Sequence, residues 1–322
     1  MTDAILELRD LCVCYATDKG LVRAVDGVSL AVRRGEKLGL VGESGCGKST
    51  LAMTLIRQIT PPGRIMGGEI LLDGLDLTQL SHEQMRDVRW RRISLIPQGA
   101  MNSLNPVIRI REQLVDSVID HGMELTKPEK AQLVSELLDA VRLQRKVADM
   151  HPHELSGGMK QRVCVAMALA LGPAVVIADE PTSALDVVVQ RQVMATMERL
   201  QAEKGISMIL IGHDMGLMAQ VVDRVAVMYA GKLAEVAPTV EIFAHPIHPY
   251  TRLLVSTLPT LELRGQFKGI PGITPSLLDP PPGCLFHPRC PEATERCSSA
   301  TPVMQEVCPD HWVACHLDEV RS

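Results

Sequence analysis

The sequence predicts an α/β fold with a mixed sheet, a helical subdomain and a small cysteine-containing C-terminal domain. Apolar strand patterns alternate with helices over residues 3–98 and 174–240. Residues 100–173 show mostly the apolar spacing of helices, which is clearest over residues 109–121 and 128–141. Prolines and cysteines accumulate after residue 240. We therefore expect a main domain over residues 1–240, with the helical subdomain at about 100–173, and a second domain over residues 241–322.

A phosphate-binding loop follows the predicted strand Lys37–Val41, because residues 42–49 read Gly-Glu-Ser-Gly-Cys-Gly-Lys-Ser. The glycines let the backbone N–H groups point at phosphate oxygens, while the lysine adds a positive charge and the last serine can bind Mg²⁺. The flanking strand and helix argue against a chance glycine-rich turn. The predicted nucleotide contacts, with Cys46 as a small filler, are Gly42, Ser44, Gly45, Cys46, Gly47, Lys48, Ser49 and Thr50.

Two carboxylates end a second apolar strand, Ala174–Ala178. Asp179 should lie at the carboxyl end of that strand, where ligands bind in open α/β sheets, and we assign it to Mg²⁺ together with Ser49. Glu180 is one residue further, so its side chain points elsewhere and suits a general base for the attacking water. The alternative is a solvated acidic turn, which the preceding apolar strand disfavours.

Two further motifs complete an ordered set. Leu-Ser-Gly-Gly occupies residues 155–158, and His213 follows the apolar strand Met208–Ile211. This set resembles the nucleotide-binding subunits of ATP-binding cassette (ABC) transporters, over about residues 3–240. The resemblance implies a P-loop ATPase cassette in which Leu-Ser-Gly-Gly is the signature that contacts the γ-phosphate bound by a partner cassette.

The resemblance also implies roles for single residues. The signature contacts are Ser156, Gly157 and Gly158, and Asp186 belongs to the loop that crosses the dimer interface. Gln98 matches the glutamine that senses the γ-phosphate and its metal, His213 the switch histidine, and Tyr15 the aromatic that stacks on adenine. Gln98 is flanked by Pro97 and Gly99, where many cassettes have an aromatic and an acidic residue, so this loop departs from the family pattern.

Composition favours a soluble subunit on the cytoplasmic face of the membrane. The net charge of −5 argues against a nucleic-acid partner. No uncharged apolar stretch reaches the roughly 18–20 residues that span a bilayer, and the N-terminus lacks the basic and apolar regions of a secretion signal. Other chains would therefore supply the pore of a transporter.

The tail carries a second strong signal, because five of the nine cysteines lie in the last 39 residues. In a cytosolic chain a metal site is more common than structural disulfides. The first three cysteines are spaced more widely than in common zinc sites, which suits four thiolates around an iron–sulfur cluster. Iron–sulfur, zinc and metal-free buried thiols all remain possible on spacing alone. The prolines that precede these cysteines predict an extended strap; they are Pro259, Pro271, Pro275, Pro280, Pro281 and Pro282.

This tail resembles the C-terminal region of oligopeptide and dipeptide importer ATPases, through His-Pro-Tyr-Thr at residues 248–251, Gly-Cys-Leu-Phe-His-Pro-Arg-Cys-Pro at 283–291 and Ala-Cys-His at 314–316. The resemblance implies that Cys284, Cys290, Cys297 and Cys315 bind a 4Fe–4S cluster, with zinc as the alternative, and that Cys308 is extra. Because the tail is a separate domain, we expect the nucleotide site to tolerate its changes.

The sequence thus predicts an ATP-hydrolysing subunit of an importer for peptides, with oligosaccharide or nickel as alternative cargo. Its cofactors are ATP and Mg²⁺. Its partners are a second ATPase subunit (a copy of itself or a related chain), two permease subunits and an extracytoplasmic binding protein. One rival is an ABC protein acting on DNA or ribosomes, which usually has two cassettes or a coiled-coil insertion. Another makes the cysteine tail a redox or iron sensor.

Overall fold

The computed structural model describes residues 3–258 and 269–316. Strands follow the chain in this order: β1 Ala4–Thr17, β2 Gly20–Arg33, β3 Lys37–Val41, β4 Gly63–Leu72, β5 Leu75–Asp76, β6 Ile93–Ile96, β7 Val175–Asp179, β8 Ser207–Gly212, β9 Arg224–Tyr229, β10 Lys232–Pro238, β11 Gln305–Cys308 and β12 His311–Val313. Helices follow in this order: α1 Lys48–Leu55, α2 His82–Val88, α3 Ile110–Asp120, α4 Lys127–Ala140, α5 Gly157–Ala168, α6 Val187–Lys204, α7 Met215–Val221, α8 Thr239–Ala244, α9 Pro249–Ser256 and α10 Glu295–Ser299. No helix of the described residues is long and apolar enough to cross a membrane.

The described residues divide into two compact units. The first consists mainly of Asp76–Ile209, with Val32–Glu36 and the start of β1. The second combines Glu7–Ala31, Lys37–Leu75 and the chain from Leu210 onward. The second unit therefore contains both the phosphate loop and the tail, and the domain boundary near residue 240 stays a prediction from the sequence.

The first unit contains the predicted helical region. Apolar side chains spaced four apart on α3, namely Ile110, Leu114 and Val118, are buried, as are Leu138 of α4 and Val163 of α5. A capping box of Thr126 and Glu129 starts α4 by satisfying backbone N–H groups of its first turn. The helical spacing predicted for residues 109–121 and 128–141 is confirmed by α3 and α4.

In the same unit β6 pairs in parallel with β7, with Ile96 opposite Ala178. Every residue of β7 is buried, as expected of a central strand with apolar side chains on both faces. The shared register matters for function, because the residues that follow Ile96 and Ala178 leave the sheet side by side.

The second unit contains parallel and antiparallel pairs, which makes the sheet mixed as predicted. Strand β3 pairs in parallel with β9, β9 in antiparallel with β10, and β10 in antiparallel with β12. Strand β12 pairs with β11. Strands β2, β1 and β4 are neighbours in a separate sheet.

The tail is more regular than the sequence predicted. Residues 269–283 form no helix or strand, which agrees with the proline strap, and the prediction for Pro259 lies outside the described residues. Beyond the strap, however, β12 extends the sheet of the second unit by pairing Val313 with Glu235 and Trp312 with Val236 of β10. The three-residue length of β12 is too short for a strand pattern to be evident in the sequence.

Candidate functional site

The phosphate loop of the second unit joins the buried strand β3 to α1. Gly42, Gly45 and Gly47 have φ values of 152°, 78° and 108°. A Cβ atom at Gly42 would lie 2.1 Å from the carbonyl oxygen of Met228, and one at Gly47 would lie 2.1 Å from that of Ala24. Glycine is therefore required by conformation and by close backbone approach at both ends of the loop.

Lys48 lies over the loop that precedes it. Its ammonium donates to the carbonyl oxygens of Gly42 at 2.7 Å and Glu43 at 2.9 Å, and only 7% of the residue is exposed. Cys46 is fully buried beneath it, and burial raises the pKa of this thiol, which is consistent with a filler. Ser44 and Ser49 are exposed and Thr50 is half-buried.

Tyr15 and His213 also belong to the second unit. Tyr15, near the end of β1, is half-buried, and its ring lies so close to Gly63 that a Cβ atom there would come within 2.6 Å of Cε1. His213 is exposed directly after β8. Asp214 follows it and caps α7 by accepting a hydrogen bond from the Leu217 N–H at 3.0 Å, which fixes the turn that presents the histidine.

The first unit brings Gln98 and Glu180 together. Each lies two residues beyond the paired positions Ile96 and Ala178, and Gln98 Nε2 donates to Glu180 Oε2 at 3.0 Å. Glu180 has a φ of 46°, which re-aims the chain, and its carbonyl accepts hydrogen bonds from the N–H and hydroxyl of Ser183. Asp179 is 5% exposed at the end of β7. The solvated acidic turn is thus excluded for Asp179.

The Leu-Ser-Gly-Gly segment forms the start of α5 in the first unit. Ser156 is the N-cap residue, and its hydroxyl accepts a hydrogen bond from the Met159 N–H at 3.4 Å. A Cβ atom at Gly158 would lie 2.3 Å from Cγ1 of Val189, so α5 and α6 can approach closely only with glycine there. Ser156 and Gly157 remain exposed at the positive end of a 12-residue helix.

Asp186 has a structural role that sequence reasoning did not identify. Its Oδ1 accepts from the N–H groups of Val188 at 3.1 Å and Val189 at 3.0 Å, which caps α6. The same turn exposes Val187 and Val188, each 65% accessible. A polar cap followed by two exposed valines is compatible with the predicted subunit contact.

The predicted cluster ligands Cys284, Cys290 and Cys297 lie near one another in the tail. The N–H of Cys284 donates to the carbonyl of Cys297 at 2.8 Å. The pKa of Cys290 is raised, chiefly because the thiol is buried and also because the Cys284 and Cys297 thiols are near it. Cys315 directly follows Ala314, which bonds to Ala234 of β10. Within the described ranges, no three Cys, His, Asp or Glu side chains are arranged to hold a single metal ion.

An ion pair between the tail and the phosphate loop was not predicted. Arg289 forms two hydrogen bonds with the carboxylate of Glu43, at 2.6 and 2.9 Å, and holds the pKa of that carboxyl below its usual value. Both residues belong to motifs identified in the sequence. They are 246 positions apart, however, and a single sequence does not indicate that they are in contact. This contact removes the structural reason for expecting the nucleotide site to tolerate changes in the tail.

Comparisons with known proteins agree with this geometry. The family model described as ABC transporter matches residues 25–183, and that described as oligopeptide/dipeptide transporter, C-terminal region, matches residues 234–297. The dipeptide transport ATP-binding protein DppD of Caldanaerobacter subterraneus is 41% identical over 317 residues, which are 98% of this chain and 97% of the relative. The oligopeptide transport ATP-binding protein OppD of Escherichia coli is 43% identical over 97% of this chain and 93% of its own.

Solved structures show the same fold. The ATP-binding cassette MJ0796, solved as a dimer in a post-hydrolysis state bound to ADP and Pi, has a TM-score of 0.66 and 25% identity, covering 73% of this chain and 98% of its own. CbiO1 of Clostridium perfringens, part of the ABC transporter complex cbiONQ, has a TM-score of 0.64 and 27% identity, with coverages of 76% and 92%. Because it is 41% identical to DppD and 43% identical to OppD over almost its whole length, the chain belongs to the ABC ATPase family of peptide importers.

Proposed function

We propose that this ATPase hydrolyses ATP to power the import of peptides across a membrane. The observation that carries the proposal is the phosphate loop, whose glycine cradle and Lys48 ammonium are arranged to bind the phosphates of a nucleotide. The cargo is inferred from the relatives, whose names assign them to dipeptide and oligopeptide transport. Oligosaccharide and nickel remain the alternative cargoes.

In the proposed mechanism, the loop amides and Lys48 bind the β- and γ-phosphates. Ser49 and Asp179 would provide oxygen ligands for Mg²⁺, which would neutralise charge on the phosphates when bound. The fit is supported by an exposed hydroxyl at Ser49 and a carboxylate at the carboxyl end of β7. Tyr15 stacks on adenine. The exposed Ser44 and the half-buried Thr50 stay near the phosphates, with Gly42, Gly45, Cys46 and Gly47 forming the loop itself.

Glu180 acts as the general base. Its carboxylate takes a proton from water, the water oxygen attacks the γ-phosphorus, and the bond to the β-phosphate oxygen breaks, which releases ADP and phosphate. The hydrogen bond from Gln98 orients this carboxylate by occupying one of its oxygens. His213 stabilises the γ-phosphate. Losing that γ-phosphate would then be sensed at both Gln98 and His213.

The signature is proposed to act on the nucleotide of a second ATPase subunit. Ser156, Gly157 and Gly158 present backbone N–H groups at the start of α5, where an anion is favoured, and Ser156 and Gly157 are exposed to a partner. Asp186 shapes the adjoining surface by capping α6. Two permease subunits and an extracytoplasmic binding protein would complete an importer, with this chain at the cytoplasmic face of the membrane.

We further propose that Cys284, Cys290, Cys297 and Cys315 bind a 4Fe–4S cluster, with zinc as the alternative. Three of these thiols lie close together but are not arranged to hold a single metal ion. This suits a cluster, because the ligands of a four-iron cluster lie further apart than those of one ion. A cluster would supply cross-links between segments that have little apolar core. Cys308 is exposed on β11 and is the least suitable ligand.

Two measurements test the proposed function. Equilibrium titration with mant-ATP and Mg²⁺ should give saturable binding that Lys48→Ala weakens strongly, because a charge facing the phosphates is lost. Cells lacking this chain should fail to take up a radiolabelled tripeptide, and the native chain, but not Glu180→Gln, should restore uptake. Undiminished uptake without the chain would refute peptide import, whereas unchanged mant-ATP affinity in Lys48→Ala would refute the loop assignment.

A further inference from the structure

Glu43, the second residue of the phosphate loop, is bound by two distant segments of the second unit. Its backbone N–H donates to the hydroxyl oxygen of Tyr250 at 2.9 Å. Its carboxylate accepts hydrogen bonds from Arg289, with Nη1 at 2.6 Å from Oε2 and Nη2 at 2.9 Å from Oε1, and from the Thr274 hydroxyl at 3.2 Å. Both the main chain and the side chain of this loop residue are therefore held from the tail.

The guanidinium of Arg289 is fixed on all sides. Its side chain is 4% exposed, and Nε donates to the Pro271 carbonyl at 2.8 Å while Nη2 donates to that of Ile270 at 3.3 Å. Nη1 also donates to the Tyr229 hydroxyl at 3.2 Å. A bidentate ion pair with a buried guanidinium and these extra hydrogen bonds has a defined geometry, unlike a solvent-exposed pair.

Aromatic rings surround this ion pair in a chain with few of them. The whole sequence has three tyrosines and three phenylalanines. Tyr229, Tyr250 and Phe286 lie with ring centroids 4.6–5.4 Å apart, and the Arg289 guanidinium carbon is 5.8 Å from the Tyr229 ring centre and 6.0 Å from that of Phe286. The rings exclude water from the guanidinium and strengthen its interaction with Glu43.

The residue held in this way also positions the phosphate-binding lysine. The Glu43 carbonyl accepts a hydrogen bond from Lys48 Nζ at 2.9 Å. The N–H of Glu43 is bound to Tyr250 and its carboxylate to Arg289, so the peptide groups on either side of Glu43 have little freedom to rotate. Displacing Glu43 would move the carbonyl that holds Lys48 and the loop amides that follow.

We propose that Arg289 is a positioning residue for nucleotide binding, which acts through Glu43 by fixing the phosphate loop. The order of the tail around residues 270–290 thereby sets the affinity of the loop for nucleotide. This inference rests on the proposed function, in that the loop must bind a nucleotide. It makes the tail part of the binding machinery, in addition to any role in holding a cluster.

The test is a double-mutant cycle on nucleotide affinity. Arg289→Met keeps the aliphatic stem that packs beside the rings, and Glu43→Gln keeps the shape of the carboxylate. Each variant and the double variant are titrated with mant-ATP and Mg²⁺, with the melting temperature measured in parallel. Arg252→Met is the matched control, because Arg252 forms a tail ion pair with Glu292 at 2.8 Å that involves no loop residue.

We expect Arg289→Met and Glu43→Gln each to weaken mant-ATP binding about tenfold, a usual size of coupling between a site and a remote group. The mant-ATP affinity of the double variant should be within about twofold of that of either single variant, because both substitutions remove the same ion pair. Arg289→Lys should bind with intermediate affinity, since it keeps the charge but loses the two-pronged geometry. Arg252→Met should bind as the native chain does.

Three outcomes would overturn the inference. One is native affinity in folded Arg289→Met or Glu43→Gln. Another is recovery of native affinity in the double variant, which would show that an unpaired buried charge, and not the lost tie, caused the defect. The third is equal weakening by Arg252→Met. If Arg289→Met does not fold, the same comparison is made with Arg289→Lys and Glu43→Gln. Failure of the native chain to bind mant-ATP would instead refute the proposed function.

Discussion

Glu235 is a fully buried carboxylate that joins three segments of the second unit, and replacing it tests how the tail is attached. It lies on β10 with none of its surface exposed. Oε1 accepts hydrogen bonds from the Ile247 N–H at 2.8 Å and from His311 Nε2 at 2.7 Å, and Oε2 accepts one from the His248 N–H at 3.0 Å. An ionised carboxylate only accepts, so Nε2 of His311 carries the proton.

Glu235→Gln keeps the volume but replaces one acceptor oxygen by an N–H₂ donor. Whichever way the amide is turned, its NH₂ group faces a buried donor, which loses its acceptor at a cost of about 1–3 kcal/mol. The remaining hydrogen bonds lose their ionic assistance, which adds about 1 kcal/mol. We therefore expect the free energy of unfolding of the tail strands to fall by about 2–4 kcal/mol.

Urea unfolding followed by the fluorescence of Trp312, on β12 beside His311, measures this change. Trp90→Phe leaves Trp312 as the single tryptophan of a chain that has two. The control is Glu241→Gln, which removes a half-exposed carboxylate on α8 and should change the free energy of unfolding by less than about 0.5 kcal/mol. Equal urea midpoints for Glu235→Gln and Glu241→Gln would refute the argument.

The same carboxylate should make the tail sensitive to acid. Burial acts to raise the pKa of Glu235, but the hydrogen bonds from His311, Ile247 and His248 hold it below the usual 4.5. A group with a lowered pKa in the folded state stabilises above its unfolded value and loses that contribution as pH falls through the folded pKa. The Trp312 transition should therefore weaken below about pH 4.5, and Glu235→Gln should remove that part of the dependence.

Two further predictions concern the tail and the signature. Cys290→Ser should abolish the broad absorption near ~400 nm of anaerobically prepared protein and should also weaken mant-ATP binding, because Arg289 adjoins it, whereas exposed Cys308→Ser should change neither. If metal analysis finds one zinc and no iron, the cluster is contradicted but the four cysteine ligands are not. Full absorption in Cys315→Ser would contradict Cys315 as the fourth ligand. In a mixed dimer of Ser156→Arg and Lys48→Ala chains, both defects fall on one composite site, so about half of the native ATPase activity should remain. Activity no higher than in either pure mutant would contradict independent composite sites.

Local patterns predicted much of the fold. Strand β3 was predicted to the residue, and β7, β8, α3 and α4 within one or two residues, because each is a buried apolar run or an amphipathic repeat bounded by turn residues. Glycine spacing likewise predicted a phosphate loop, since the close approaches at Gly42 and Gly47 exclude any side chain. These features depend on short stretches of sequence.

The rest depends on pairs that are distant along the chain. The tie of Glu43 to Arg289 and that of Glu235 to His311 join residues 246 and 76 positions apart, and no periodicity records such a pairing. Gln98 and Glu180 are close together because of the register in which β6 pairs with β7. The sequence of one strand does not specify which strand pairs with it or in which register. For this reason the sequence predicted the tail as a separate, extended segment and did not predict its contacts with β10 and the phosphate loop.

The measurement that tests the central claim most directly compares steady-state ATP hydrolysis and mant-ATP affinity in the native chain and in Glu180→Gln. If Glu180 is the general base, Glu180→Gln should bind mant-ATP with native affinity and hydrolyse ATP about 10²- to 10⁴-fold more slowly, the scale of losing a positioned base. The amide keeps a group that can bond to Gln98, so loss of folding should not confuse the result. Hydrolysis near the native rate would contradict the account.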